Sequence, residues 1–188
     1  FEEVTGLPYD VCKMLCLGIS YGMGMPTMAN KINMSEEECS STLNQFNAKA
    51  PFLRKLFERT ASAASERGYI KTILGRRSYF NQWSAGYDLP IYKNKAEAFR
   101  DYPNNQIRRA FTNKAFNRLI QGSAADQSKL ALVACFKAGF DIRLPVHDEI
   151  NAMVESEQKA KELGEIMETC MTLKVPTVAD LDVGKTWC

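Results

Sequence analysis

Through the first third of the chain, apolar positions recur every three or four residues and are punctuated by proline and glycine. Pro8 suits a first helical turn, and the stretch Tyr9–Gly24 reads as a helix that ends at Gly22, Gly24 and Pro26. Thr27–Ile32 continues the helical period as a short second piece. Ser35 followed three residues later by Glu38 is a capping-box signature, and it predicts a third helix to about Ala48. Pro51 opens a fourth helix, with Phe52, Leu53, Leu56 and Phe57 on one side and Gly68 just past its end.

The period then changes. Tyr69–Thr72 and Arg77–Phe80 flank Ile-Leu-Gly-Arg and read as a β-hairpin. Residues 81–103 are polar and rich in turn formers, so the pattern predicts an irregular connection. From Asn104 to Ala138 only Gly122 interrupts helical character, and Gly139 supplies a stop. Phe140–Val146 and Ile150–Val154 read as strands around a bend at His147-Asp148-Glu149. Ser156 caps a predicted helix to about Leu173 with an apolar stripe of Ala160, Leu163, Met167 and Cys170, and Pro176–Val183 reads as a closing strand.

Composition narrows the class. The 188 residues are 45% hydrophobic with few low-complexity runs, which describes an ordered globular chain. No stretch approaches the ~20 apolar residues of a membrane span, and no signal-peptide pattern opens the chain. The six cysteines form no Cys-x-x-Cys pair and His147 is the only histidine, which disfavours a mixed zinc site. Scattered cysteines on apolar faces suit a reducing compartment, so the expected location is the cytoplasm.

Charge is distributed unevenly. Residues 67–118 hold eleven Lys/Arg against three acids, a balance of +8, while residues 126–188 hold seven against eleven, a balance of −4. A basic middle is the footprint of a phosphate backbone, although a charge run is also an ordinary solvated face.

Three stretches carry candidate chemistry. On the first helix Lys13, Leu17 and Tyr21 fall four residues apart, presenting a cation, an apolar plate and a ring in the order a nucleoside triphosphate needs. A half-buried helix with one lysine on its rim has the same spacing. On the long helix Arg109, Asn113, Asn117 and Gln121 form a polar stripe, flanked by Lys114 and Arg118. Such donors suit the minor-groove acceptors shared by base pairs in either orientation, and equally suit a solvated face. At the strand bend, Asp148 and Glu149 are carboxylates of the kind that bind Mg²⁺, or simply good turn residues.

In this order, Lys13-x7-Tyr21-Gly22, Gln121-Gly-Ser-Ala-Ala-Asp126 with Asn117, and Val146-His-Asp-Glu149 resemble motif B, the palm-helix motif and motif C of family A DNA polymerases. These are the bacterial repair enzyme and its phage relatives. Glu58-Arg59-Thr60, Gly68-Tyr69 and Gly75-Arg76-Arg77 support the resemblance, which spans almost the whole chain. It implies an α/β chain of the α+β kind: a helical fingers subdomain over residues 1–67, and over residues 68–188 part of a palm with an antiparallel sheet and a long packing helix.

The implied roles follow residue by residue. Lys13 holds the phosphates of the incoming dNTP, Leu17 lies against its sugar and base, and Tyr21 and Gly22 guard the templating base. Arg77, Arg109, Asn117, Gln121 and His147 contact primer–template DNA. Asp148 binds catalytic metal with Glu149 in support, in a two-Mg²⁺ transfer of a nucleotide to a primer 3′-oxygen. Lys13 neutralises charge on the leaving phosphates as the fingers close.

Three departures qualify the resemblance. The family's arginine four residues before the lysine is Tyr9 here, which can donate one hydrogen bond to a phosphate but brings no charge, so weaker triphosphate binding is expected. The usual aromatic is Leu17, which predicts a strong preference for ordinary deoxynucleotides over dideoxynucleotides. The motif A aspartate is absent, which predicts a carboxy-terminal part that needs the amino-terminal portion of the polymerase to complete the second metal's ligands and is inactive alone. The location expected is cytoplasmic, in a host cell if viral, without membrane partners. A single-subunit RNA polymerase fragment and a non-catalytic nucleic-acid-binding module are the competing readings.

Overall fold

A computed structural model describes residues 6–86 and 88–186. The predicted lead-in at residues 1–5 and Cys188 lie outside the described residues. The chain combines helices with small antiparallel sheets, the α+β class expected, in two compact units that divide between Ile120 and Gln121.

The first unit opens with the four expected helices, α1 (Tyr9–Tyr21), α2 (Met25–Lys31), α3 (Glu36–Lys49) and α4 (Pro51–Arg67), of which α2 starts two residues earlier than expected with Pro26 in its first turn. Gly22 ends α1 in the left-handed region at φ 64°. Its N–H reaches the Ile19 carbonyl and that of Met23 reaches Gly18, a Schellman closure that satisfies two orphan carbonyls. At α3 the capping box is complete: Glu38 N–H donates to Ser35 Oγ at 3.2 Å, and Ser35 N–H donates to Glu38 Oε2 at 2.9 Å. The Ser35 backbone bond holds the Glu38 carboxyl below its ordinary value. Leu15, Met28, Ala29, Cys39, Phe46 and Ala50 form the shared core of these helices.

Behind α4 lies the expected hairpin of β1 (Tyr69–Lys71) and β2 (Arg77–Tyr79), with Tyr69 opposite Tyr79 and their ring centroids 5.9 Å apart. Ala64, Ile70, Phe80 and Ala115 make its core. Gly68, at φ 76°, joins α4 to β1, and a Cβ there would lie 2.6 Å from the Arg109 guanidinium. Gly68→Ala combines a left-handed penalty with displacement of a bound arginine. We expect it to cost about 1–3 kcal/mol of stability, measured by urea unfolding; a change under about 0.5 kcal/mol contradicts this account.

Two expectations need correction here. The connection at residues 81–103 is only partly irregular: β3 (Trp83–Ser84) pairs with β4 (Arg108–Arg109), Trp83 bridges to Tyr92, and α5 (Lys95–Asp101) is capped by Asn94. These elements are two to seven residues long, too short to show a period, and side-chain bonds such as Tyr92 Oη to Asp101 at 3.0 Å hold them. The long helix α6 (Ala115–Lys137) also begins later than the pattern predicts. Arg109 is committed to β4, and Phe111 at φ 62° breaks any right-handed run before a 3₁₀ turn at Thr112–Lys114.

In the second unit, β5 (Asp141–Val146) and β6 (Glu149–Met153) form the predicted antiparallel hairpin, with Val146 opposite Glu149 and an irregularity between Ile142 and Leu144. α7 (Glu157–Thr169) is capped by Ser156 and buries Ala160, Leu163 and Gly164. The closing strand expected at Pro176–Val183 does not form. Among the described residues nothing pairs with that segment as a ladder. It is tied instead by side chains: Gln127 Nε2 donates to Thr177 Oγ1 at 3.0 Å, and Ala179 N–H donates to Glu168 at 2.8 Å. No helix among the described residues is long and apolar enough to cross a membrane.

Candidate functional site

Helix α1 is strongly two-faced. Cys12, Leu15 and Gly18 are buried, while Tyr9, Lys13, Leu17 and Tyr21 stand in the open on the opposite side. Leu17 at 36% and Tyr21 at 50% exposure are apolar groups that the fold leaves in water. The open face carries cation, plate and ring at the predicted spacing. Lys13 Nζ lies 5.9 Å from the centroid of the Tyr9 ring, so these two predicted nucleotide contacts are already adjacent. Burial pushes the neighbouring Cys16 thiol up.

The far end of α1 meets the start of the long-helix region. A Cβ built on Gly22 would lie 3.7 Å from Asn113 Nδ2. The predicted DNA-contacting residues of this unit are arranged less simply than a stripe. Arg109 and Asn113 precede α6, so of the stripe's residues in this unit only Asn117 lies on that helix. The Arg109 Nε–H donates to the Ser65 carbonyl at 3.2 Å and its Nη1–H to Phe80 at 2.9 Å, with the guanidinium 4.5 Å over Trp83. That side chain ties the end of α4 to the end of β2. Arg77 stacks 4.8 Å over Tyr69 on the hairpin. Asn117 is half-buried, and its Oδ1 has no hydrogen-bond partner, an acceptor held in reserve.

Arg118, which flanks the predicted stripe, and Phe111 belong to this description through contacts that the stripe does not foretell. Arg118 donates to the Tyr79 carbonyl at 3.1 Å and stacks 4.5 Å over Phe80. Phe111 occupies the left-handed region, where a bulky side chain is an outlier. Hydropathy spacing carries no signal for either, because backbone handedness and carbonyl contacts are not encoded in period.

In the second unit the β5–β6 connection is only two residues, His147 and Asp148, with His147 at φ 55°. His147, Asp148 and Glu149 are all exposed at this tip. Antiparallel pairing on both sides fixes the backbone beneath two carboxylates while leaving them reachable. Among the described residues no group of three or more His, Cys, Asp or Glu side chains converges as a complete metal site. The donor chemistry is nevertheless that of Mg²⁺, which takes one or two protein carboxylates and fills its other positions with phosphate and water. Asp148 and Glu149 fit a part of such a site. Asn151 Nδ2, on β6 two residues past Glu149, is buried with no hydrogen-bond partner.

The profile of DNA polymerase family A matches residues 1–188. A DNA-directed DNA polymerase of Pseudomonas phage M6 is 32% identical over 220 residues, covering 98% of this chain and 30% of the relative. DNA polymerase I of Pseudomonas aeruginosa is 31% identical over 195 residues, covering 99% and 20%. Among solved structures, the POL domain of Pol1 from M. smegmatis, in complex with DNA primer-template and dNTP, aligns with a TM-score of 0.70 at 26% identity. That alignment covers 93% of this chain and 31% of that one. The chain therefore spans under a third of the length of these relatives.

Proposed function

Because this chain belongs to DNA polymerase family A, we propose that it supplies the fingers, over residues 1–67, and part of the palm, over residues 68–188, of an enzyme that copies DNA. The reaction is transfer of a nucleotide from a dNTP to a primer 3′-hydroxyl. The observation that carries this reading is the open face of α1, where Lys13, Leu17 and Tyr21 stand in line and the helix ends at Gly22 against Asn113.

In this reading Lys13 binds the triphosphate and offsets the charge that builds on the leaving phosphates. Leu17 lies against sugar and base, and its lack of a hydroxyl favours ordinary deoxynucleotides. Tyr21 and Gly22 meet the templating base; Asn117, Gln121, His147, Arg77 and Arg109 position the primer–template. Asp148, with Glu149 beside it, holds Mg²⁺. The ions supply activation of the primer oxygen and stabilisation of pyrophosphate. Further ligands come from polymerase outside residues 1–188, so the isolated chain is not expected to extend a primed template. A cytoplasmic location, in a host cell for a viral enzyme, accompanies this reading.

The test is triphosphate affinity, read by fluorescence titration with a dNTP analogue. Tyr9→Arg adds a charge-assisted hydrogen bond and is expected to tighten binding about tenfold, while Lys13→Met weakens it by a similar factor. Equal affinity in all three proteins overturns the assignment of this helix face.

A further inference from the structure

A cleft of about 190 Å³ opens between the end of β2 and the segment that precedes α6. Tyr79, Phe80, Asn81, Gln82, Phe111 and Arg118 are among the residues that line it. Phe80 is buried at 2% exposure, whereas Phe111 is 37% exposed, so one ring is fixed and the other lies open at the mouth. Arg118 is pinned by its bond to the Tyr79 carbonyl and stacks on Phe80, giving a flat cationic and aromatic surface. The Lys114 ammonium lies 5.1 Å over the Phe111 ring and places a second positive charge beside the opening.

Phe111 needs an explanation that packing does not give. At φ 62° its backbone is in a conformation that penalises a bulky side chain, and a glycine would relieve it. Strain of this kind persists where the side chain is required in that direction.

We propose that this cleft receives one unpaired base of a single-stranded template, stacked against Phe111. The chemistry selects the ligand class: flat π surfaces to stack a base, amides that both donate and accept at its edges, and cations for the flanking phosphates. Location selects the strand, since Asn113, which abuts Gly22 at the templating end of α1, is two residues from Phe111. The proposal rests on the reading of α1 given above, yet it is tested separately. It adds a base site distinct from the one at Tyr21.

The probe is a five-nucleotide DNA strand in which only the central nucleotide carries a base, compared with its fully abasic counterpart. Both are titrated against the full chain. In the unaltered protein the base is expected to tighten binding by about five- to a hundredfold. In Phe111→Gly that gain falls below about twofold, and Phe111→Tyr, which keeps a ring, restores it. Thermal unfolding separates ligand from scaffold: Phe111→Gly is expected to melt at the same temperature or higher. A base effect that survives in Phe111→Gly, the absence of any base effect in the unaltered chain, or a lowered melting point each overturns the proposal. If the triphosphate titration gives its expected order while the base effect is missing, only the cleft is refuted; the reverse result removes the α1 reading and leaves the cleft.

Discussion

Asp148→Ala is expected to lower nucleotide transfer about 10³-fold in a complete polymerase that carries this chain, measured by primer extension under saturating dNTP. The magnitude follows from the role. A carboxylate holding a divalent ion contributes several kcal/mol of charge stabilisation at the reacting phosphate. The position is at the tip of a two-residue connection, exposed on both sides, so the substitution removes no packing. Unfolding should therefore be unchanged while Mn²⁺ binding by the chain itself is lost. Full activity in the variant would remove Asp148 from the metal site.

Phe46→Ala has the largest expected effect on stability. Phe46 is fully buried, at 0% exposure, among Leu15, Met28 and Cys39 where α1, α2 and α3 meet. Removing a ring from a core that cannot collapse around the space costs about 3–5 kcal/mol, a large part of the 5–15 kcal/mol that holds a typical domain. The loss exceeds that expected for Gly68→Ala because a cavity is created rather than one side chain displaced. Urea unfolding reads it as a lower midpoint at unchanged slope; a shift under about 1 kcal/mol would mean that Phe46 is not the keystone of these helices.

Both variants fall in elements that the sequence made legible. Helices α1 to α4 were readable because each has its own stop and start chemistry: Gly22, Pro26, the Ser35–Glu38 box, Pro51 and Gly68. The β5–β6 hairpin was readable from two apolar runs around a short polar bend. The stretch from residue 81 to residue 114 was not. Its order comes from a guanidinium reaching across 44 residues to Ser65 and from Trp83 lying between Lys95 and Arg109, contacts that leave no local period. A helix pattern also continues through Phe111 on paper, because side-chain type does not reveal a left-handed backbone. The closing strand failed for the converse reason: apolar alternation at residues 176–183 is present, but a strand is defined by a partner. The candidate site was legible as residue types at fixed spacing, while the burial of the Asn117 oxygen and the commitment of Arg109 to two carbonyls were visible only in three dimensions.

The irregular step between Ile142 and Leu144 has a consequence for how this hairpin tolerates change in length. Along β5 the pairing advances two residues while along β6 it advances one, so Arg143 is supernumerary. Between the bulge and the tip, Leu144 faces Asn151, Pro145 faces Ile150 and Val146 faces Glu149, each pair sharing one side of the ribbon. An extra residue inserted on the bend side would shift this pairing by one and turn the Glu149 side chain to the other face. One inserted on the far side, next to Arg143, could be taken up where the ladder already miscounts. The consequence is a different expected tolerance on the two sides of Arg143: a one-residue insertion next to the bulge is expected to leave the pairing of the acidic tip intact, and one between Leu144 and Val146 is not.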